Sequence, residues 1–179
     1  MKHAFPFTLC LFISFALVTL VGCNRGVRSD ASAARPPLTP AAISSSAQVV
    51  KVIPSPVEIN VNGSADAAIA LSILPGYHIN ANPATFSYLI ATEVSTGKAE
   101  GITVGAPGYP AAVKKKFQFA EQPLAVYEGE APIKLNLRAE KNAGSGSRSL
   151  PITVRVQACD EEQCFPPATI SSTISVMVK

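Results

Sequence analysis

From about Val49 onward, apolar and polar residues take turns along the chain. Val57, Ile59 and Val61 alternate with Glu58 and Asn60, and Ile69, Leu71 and Ile73 repeat the pattern. Ile133, Leu135 and Leu137 alternate with Lys134, Asn136 and Arg138; Ile152, Val154 and Val156 alternate with Thr153, Arg155 and Gln157. Ile170, Ile174, Val176 and Val178 close the set. A period of two with one apolar face belongs to strands half buried in a sheet. Turn formers punctuate the intervals: Asn62-Gly63, Pro75-Gly76, Pro107-Gly108, Gly129 and Gly144-Ser145-Gly146. No stretch shows a 3.6-residue period bounded by helix caps. Short strands separated by turn signals predict an all-β chain folded as an antiparallel β-sandwich.

The first 46 residues read differently. Lys2 and His3 precede an uncharged apolar run from Ala4 to Val21 that ends Leu20-Val21-Gly22-Cys23. A short basic start, an apolar core and small residues before the cut describe an export signal over residues 1–22. Small residues directly ahead of a cysteine match a bacterial lipobox, which makes Cys23 the expected lipidation site. The plainer alternative is an uncleaved anchor with an incidental cysteine. Acyl chains contribute about 0.8 kcal/mol per buried methylene, so several of them hold a protein firmly to a bilayer. Asn24 rather than Asp follows the cysteine, which points toward the outer membrane. Residues 23–46 are rich in Ala, Ser and Pro and have little to bury, so they are expected to form a flexible tether. Residues 47–179 then form the folded domain.

Composition adds limits. The chain has 179 residues with 15 basic and 12 acidic, a net charge of +3 that drops by one when Lys2 leaves with the signal. That balance gives no reason to expect nucleic acid as a partner. The lysine run Lys114-Lys115-Lys116 reads as a solvated loop. Cleavage would remove Cys10 and His3, leaving Cys159 and Cys164 as the pair free to react and His78 as the one histidine. Two cysteines and one histidine make a poor four-ligand zinc site, and a Cys-His hydrolase would need a free thiol beside His78. No cofactor is expected.

The segment Gln157-Ala158-Cys159-Asp160-Glu161-Glu162-Gln163-Cys164-Phe165-Pro166-Pro167 carries the candidate chemistry. Export places it in an oxidising compartment, where a close pair tends to be a disulfide. If residues 150–158 and 168–178 form a hairpin, the two cysteines lie at opposite ends of its connection, within reach of the ~4.4–6.8 Å that a disulfide needs. Alternation places Cys159 on the face of Arg155 and Gln157, hence at the rim of the core. Closing so short a loop stabilises the fold by only about 2 kcal/mol, against about 4.7 for a 100-residue loop. The pair is therefore either a small structural clip or a redox centre. Asp160, Glu161 and Glu162 disfavour a thiolate unless Arg155 or a partner offsets them.

The run Val154-Arg155-Val156-Gln157-Ala158-Cys159 through Cys164-Phe165-Pro166-Pro167-Ala168-Thr169 resembles the cysteine motif of the periplasmic N-terminal domain of DsbD, the thiol:disulfide interchange protein. Pro75-Gly76-Tyr77-His78-Ile79-Asn80-Ala81-Asn82-Pro83 and Pro123-Leu124-Ala125-Val126-Tyr127-Glu128-Gly129-Glu130 agree with the same family, in the same order. The resemblance implies an immunoglobulin-like sandwich in which Cys159 and Cys164 cycle between dithiol and disulfide. Cys164 would form the mixed disulfide with partners, and Cys159 would resolve it. Partners would be thioredoxin-like periplasmic proteins and a separate membrane electron donor, because the membrane and thioredoxin-like domains of DsbD proper are absent from this sequence. The resemblance also implies a cap loop with an aromatic tip, for which Phe117 and Phe119 are the candidates. His78, Asn80 and Phe165 are candidates for lining the site. The four residues between the cysteines are fewer than the five of some relatives. The competing function is a non-catalytic binding or scaffold sandwich whose disulfide is structural.

Overall fold

The computed structural model describes residues 42–179. Cys23 and the expected export signal over residues 1–22 lie outside the described residues. After a 3-10 turn at Ser46–Gln48, the chain forms β1 (Val50–Pro54), β2 (Val57–Ile59), β3 (Ser64–Ile73), β4 (His78–Asn80), β5 (Glu93–Thr96) and β6 (Ile102–Val104). It continues through β7 (Val113–Lys115), β8 (Leu124–Tyr127), β9 (Glu130–Ala139), β10 (Gly146–Val156), β11 (Ala158–Cys159) and β12 (Ala168–Val178). Three sheets result, in the orders β1-β3-β9-β6, β2-β12-β10-β5 and β11-β4-β8-β7. This is an immunoglobulin-like β-sandwich, antiparallel except where β2 runs parallel to the end of β12.

The predicted alternation sets the core. In β9, Ile133, Leu135 and Leu137 are buried while the residues between them are exposed, and β3 answers with Ile69, Leu71 and Ile73. Register matches large to small side chains: Leu135 faces Ala67, and Leu71 faces Ala131. On the second sheet Leu150, Ile152, Val154 and Val156 join Ile174, Val176 and Val178, and all belong to one continuous core with β3 and β9. Interdigitation of two such inner faces is what a sandwich requires.

Two expectations need correction. Val61 does not extend β2: Gly63 N–H donates to Asn60 C=O at 2.8 Å, and Asn62 takes φ 59°, so the chain turns before another strand pair can form. The lysine run is not a solvated loop, because Lys114 and Lys115 lie in β7, at the edge of the third sheet. The third sheet itself has little alternation to detect. All three residues of β4 are buried, as are Leu124, Val126 and Tyr127 of β8.

The expected tether runs through residue 46, yet ordered structure reaches into its last residues. Ser45 caps the 3-10 turn together with Gln48. Ser46 is fully buried; its hydroxyl donates to Pro166 C=O at 2.8 Å and accepts from Ala158 N–H at 2.8 Å. Those two partners flank the cysteine segment. Removing the hydroxyl strands a buried donor, which costs about 1–3 kcal/mol. Ser46→Ala is therefore expected to lower stability by about that amount in urea melts. Unchanged melting would show that the hydroxyl is not needed to hold the hairpin to the N-terminal turn.

Candidate functional site

Strands β10 and β12 form a long antiparallel pair that closes at Val156 opposite Ala168, as the hairpin reading expects. The connection between them carries Cys159 and Cys164, which form a disulfide with Cα atoms 3.9 Å apart, inside the range of neither the expected nor the usual spacing. The two cysteines also face each other as an isolated antiparallel bridge. Phe165 N–H donates to Ala158 C=O at 2.8 Å, and Asp160 N–H donates to Gln163 C=O at 2.9 Å, so peptide hydrogen bonds flank the sulfurs on both sides.

Cys159 is not at the rim of the core; it is buried, with 1% exposure. The alternation of β10 stops at Gln157, and the chain crosses into the third sheet, where Ala158 pairs with Ile79 and Cys159 with His78. Both residues of this two-residue strand are covered, so the count along β10 does not carry over. Cys164 is partly exposed. It opens onto a 400 Å³ groove lined by Tyr88, Leu89, Phe119, Ala120, Leu124 and the turn residues Glu162 and Gln163.

The acidic turn is largely committed to its own structure. The Asp160 carboxylate accepts from Glu162 N–H and Gln163 N–H, both at 2.8 Å. Glu161 pairs with Lys115 of β7 at 2.8 Å. Arg155, the cation expected to offset the acidic run, instead lies 4.0 Å from Glu93 on β5. Lys115 takes that place, a role that the lysine run did not signal in the sequence.

Behind Cys159, the His78 ring is buried and edge-on to Phe117, with centroids 5.3 Å apart. His78 Nε2 is 2.8 Å from Lys115 Nζ and 3.2 Å from Glu128 Oε2, while Nδ1 has no partner among the described residues. Burial, reinforced by the Lys115 ammonium, holds the histidine below its ordinary pKa against the pull of Glu128 and Glu161. Asn80 is also buried. Its amide donates to Ile90 C=O at 3.2 Å and Gln157 Oε1 at 3.1 Å, tying the loop after β4 to the residue that begins the cysteine segment. Phe165 is buried beneath the second cysteine and packs against Tyr77 at 5.9 Å.

The two cap candidates separate. Phe117 is 1% exposed and forms a small satellite cluster with Leu124 and Val126, so it is a core aromatic rather than an exposed tip. Phe119 stacks on it at 5.2 Å, is 41% exposed and faces the groove beside Cys164. Tyr88, exposed and stacked on Phe86, forms the other wall. Nothing in the pattern around Tyr88 marks it, since it comes from a loop brought to the site only by the third sheet.

A profile of the family described as thiol:disulfide interchange protein DsbD, N-terminal, matches residues 47–175. The chain belongs to that family. Among curated protein sequences, nothing matches it. Solved structures similar to this DsbD N-terminal-type chain include the DsbD N-terminal domain of Neisseria meningitidis in the reduced form, at 19% identity, covering 71% of this chain and 83% of that one with a TM-score of 0.45. The N-terminal periplasmic domain of ScsB from Proteus mirabilis matches at 11% identity over 70% of this chain and 43% of its own, with a TM-score of 0.41. A type I cohesin from Pseudobacteroides cellulosolvens matches at 9% identity over 73% and 92%, with a TM-score of 0.46. Membership in the DsbD N-terminal family rests on the sequence profile.

Proposed function

We propose that this chain is a periplasmic thiol-disulfide carrier, held to a membrane through lipid on Cys23, that passes electrons to or from partner thiol proteins through Cys159 and Cys164. The observation that carries the reading is the asymmetry of the pair: Cys164 opens onto an apolar groove while Cys159 is 1% exposed. Exchange attacks one sulfur along the line of the bond and needs access to it. An incoming thiolate would bond to Cys164 Sγ and expel Cys159 as a thiolate. The partner's second thiolate would then attack the mixed disulfide at the partner's own sulfur. That step releases Cys164, leaves two thiols here after proton uptake, and leaves the partner oxidised by two electrons. The reverse sequence returns the electrons.

Family membership supports the same chemistry. Thioredoxin-like partners, a separate membrane donor and an outer-membrane anchor complete the reading, with residues 1–22 as signal, 23–46 as tether and 47–179 as carrier domain. The groove walls of Tyr88, Leu89 and Phe119 supply an apolar contact surface of the kind a partner would cover.

Reduction potential tests this directly. A working pair is expected near about −200 mV, whereas structural bonds lie below about −300 mV. That gap corresponds to more than about a thousandfold in the exchange equilibrium. Equilibration against glutathione buffers reads it. A value on the structural side would leave a scaffold sandwich with a clip.

A further inference from the structure

One nitrogen beside the cysteine pair has two partners and can satisfy one at a time. His78 Nε2 is 2.8 Å from Lys115 Nζ and 3.2 Å from Glu128 Oε2. An ammonium only donates, so the Lys115 contact needs the Nε2 lone pair; a carboxylate only accepts, so the Glu128 contact needs an Nε2 proton. The two arrangements exclude each other. In the first, neutral His78 carries its proton on Nδ1, the ring atom without a partner among the described residues. In the second, His78 is an imidazolium that turns to Glu128 and repels the lysine.

Lys115 links this choice to the redox pair. Its ammonium is also 2.8 Å from Glu161 on the cysteine turn. Phe117 lies two residues further on and stacks against Phe119, which lines the groove at Cys164. Cys159 pairs directly with His78 across β11 and β4. Lys115 thus joins three elements: the turn, the strand behind Cys159 and the segment that carries Phe117 and Phe119. The charged groups facing His78 are Lys115 from β7, Glu128 from the turn after β8 and Glu161 from the cysteine turn; Phe117 supplies the remaining apolar wall.

We propose that Lys115 is a positioning residue that clamps the Phe117–Phe119 segment against the groove at Cys164, and that protonation of His78 loosens the clamp by transferring Nε2 from Lys115 to Glu128. The groove at Cys164 is then narrower above the histidine's titration and wider below it. The depressed pKa of His78 agrees with a clamp that is closed near neutrality. This regulation concerns the site of the proposed carrier, but it is a property of access to the disulfide and needs no partner to measure.

The experiment follows opening of the oxidised full chain by dithiothreitol from about pH 8 to about pH 5. Each rate is taken relative to a variant at the same pH, which cancels the ionisation of the reagent. At about pH 8, Lys115→Met is expected to open about five-fold faster than wild type, the scale of one partly exposed ion pair. On acidification that ratio falls toward one. His78→Gln keeps an acceptor for Lys115 but cannot titrate, so wild type should match it at high pH and outpace it at low pH. Lys115→Arg should restore wild-type behaviour. A wild-type to His78→Gln ratio that stays constant across the range, or a Lys115→Met rate equal to wild type at high pH, overturns the proposal. Nitrogen-15 NMR of the histidines gives a readout without any variant. With two histidines in the chain, His78 is expected as the Nδ1–H tautomer at high pH, and an Nε2–H tautomer there refutes the clamp. A normal clamp with no exchange toward partner proteins would sink the carrier reading alone, and the converse result would sink the clamp alone.

Discussion

A Cys159→Ala variant is expected to accumulate as a covalent adduct with thioredoxin-like partners, while Cys164→Ala forms little or none. The variant with Cys164 alone keeps the sulfur that opens onto the groove and loses the one that would resolve the mixed disulfide. The variant with Cys159 alone keeps a sulfur in a residue that is 1% exposed, where an in-line approach is blocked. Turnover should fall to the uncatalysed background in both, because a single thiol cannot complete a two-electron exchange. The difference in trapping is the informative quantity. Incubation with an oxidised thioredoxin-like protein, followed by non-reducing electrophoresis and mass spectrometry, reads it. Equal adducts from both variants would remove the asymmetry on which the roles depend. No adduct from either would take away the main support for exchange.

The second large effect is structural. Phe117→Ala is expected to lower stability by about 3–5 kcal/mol, whereas Phe119→Ala should cost about 1 kcal/mol or less. Phe117 fills a small cluster with Leu124 and Val126, with Phe86, Leu89 and Ala120 packed against its margin. Few other side chains could move into the space it leaves. Phe119 is 41% exposed and gives up mainly a stacking contact. A loss of several kcal/mol is a large part of the 5–15 kcal/mol that holds a typical domain together. It should act locally as well: amide exchange in β8 should accelerate more than in β9, whose core residues belong to the main sandwich. Urea melts and hydrogen exchange check both statements. Equal destabilisation by the two alanine variants would show that Phe117 is not the keystone of this cluster.

Some of this was legible in the residues and some was not, for physical reasons. Strands with one wet face announce themselves, so Ile133, Leu135 and Leu137, or Ile152, Val154 and Val156, lead straight to the sandwich core. Strands covered on both faces carry no alternation. His78–Asn80 is one such strand, and without it neither the third sheet nor the burial of Cys159 can be foreseen. The cysteine hairpin was readable because its strands alternate up to Val156. The position of Cys159 was not, because it depends on a change of sheet at Gln157. Lys115 illustrates a different limit. A run of three lysines is solvated far more often than not, and only the pairing of β7 with β8 brings the middle one to Glu161 and His78. Asn80 was marked as a site residue by resemblance, yet its observed bonds run to Gln157 and Ile90, where it braces the loop that supplies Tyr88.

The peptide bonds that flank the sulfurs have a kinetic consequence. Phe165 to Ala158 and Asp160 to Gln163 already hold the two sides of the tip together, and Ser46 fastens its base. Cutting the covalent link would release almost no chain, so both electron-loaded and electron-empty forms should present one shape to whatever docks there. If the chain is the proposed carrier, it has little polypeptide to rearrange in each cycle, and what remains to govern its tempo is access to the sulfurs.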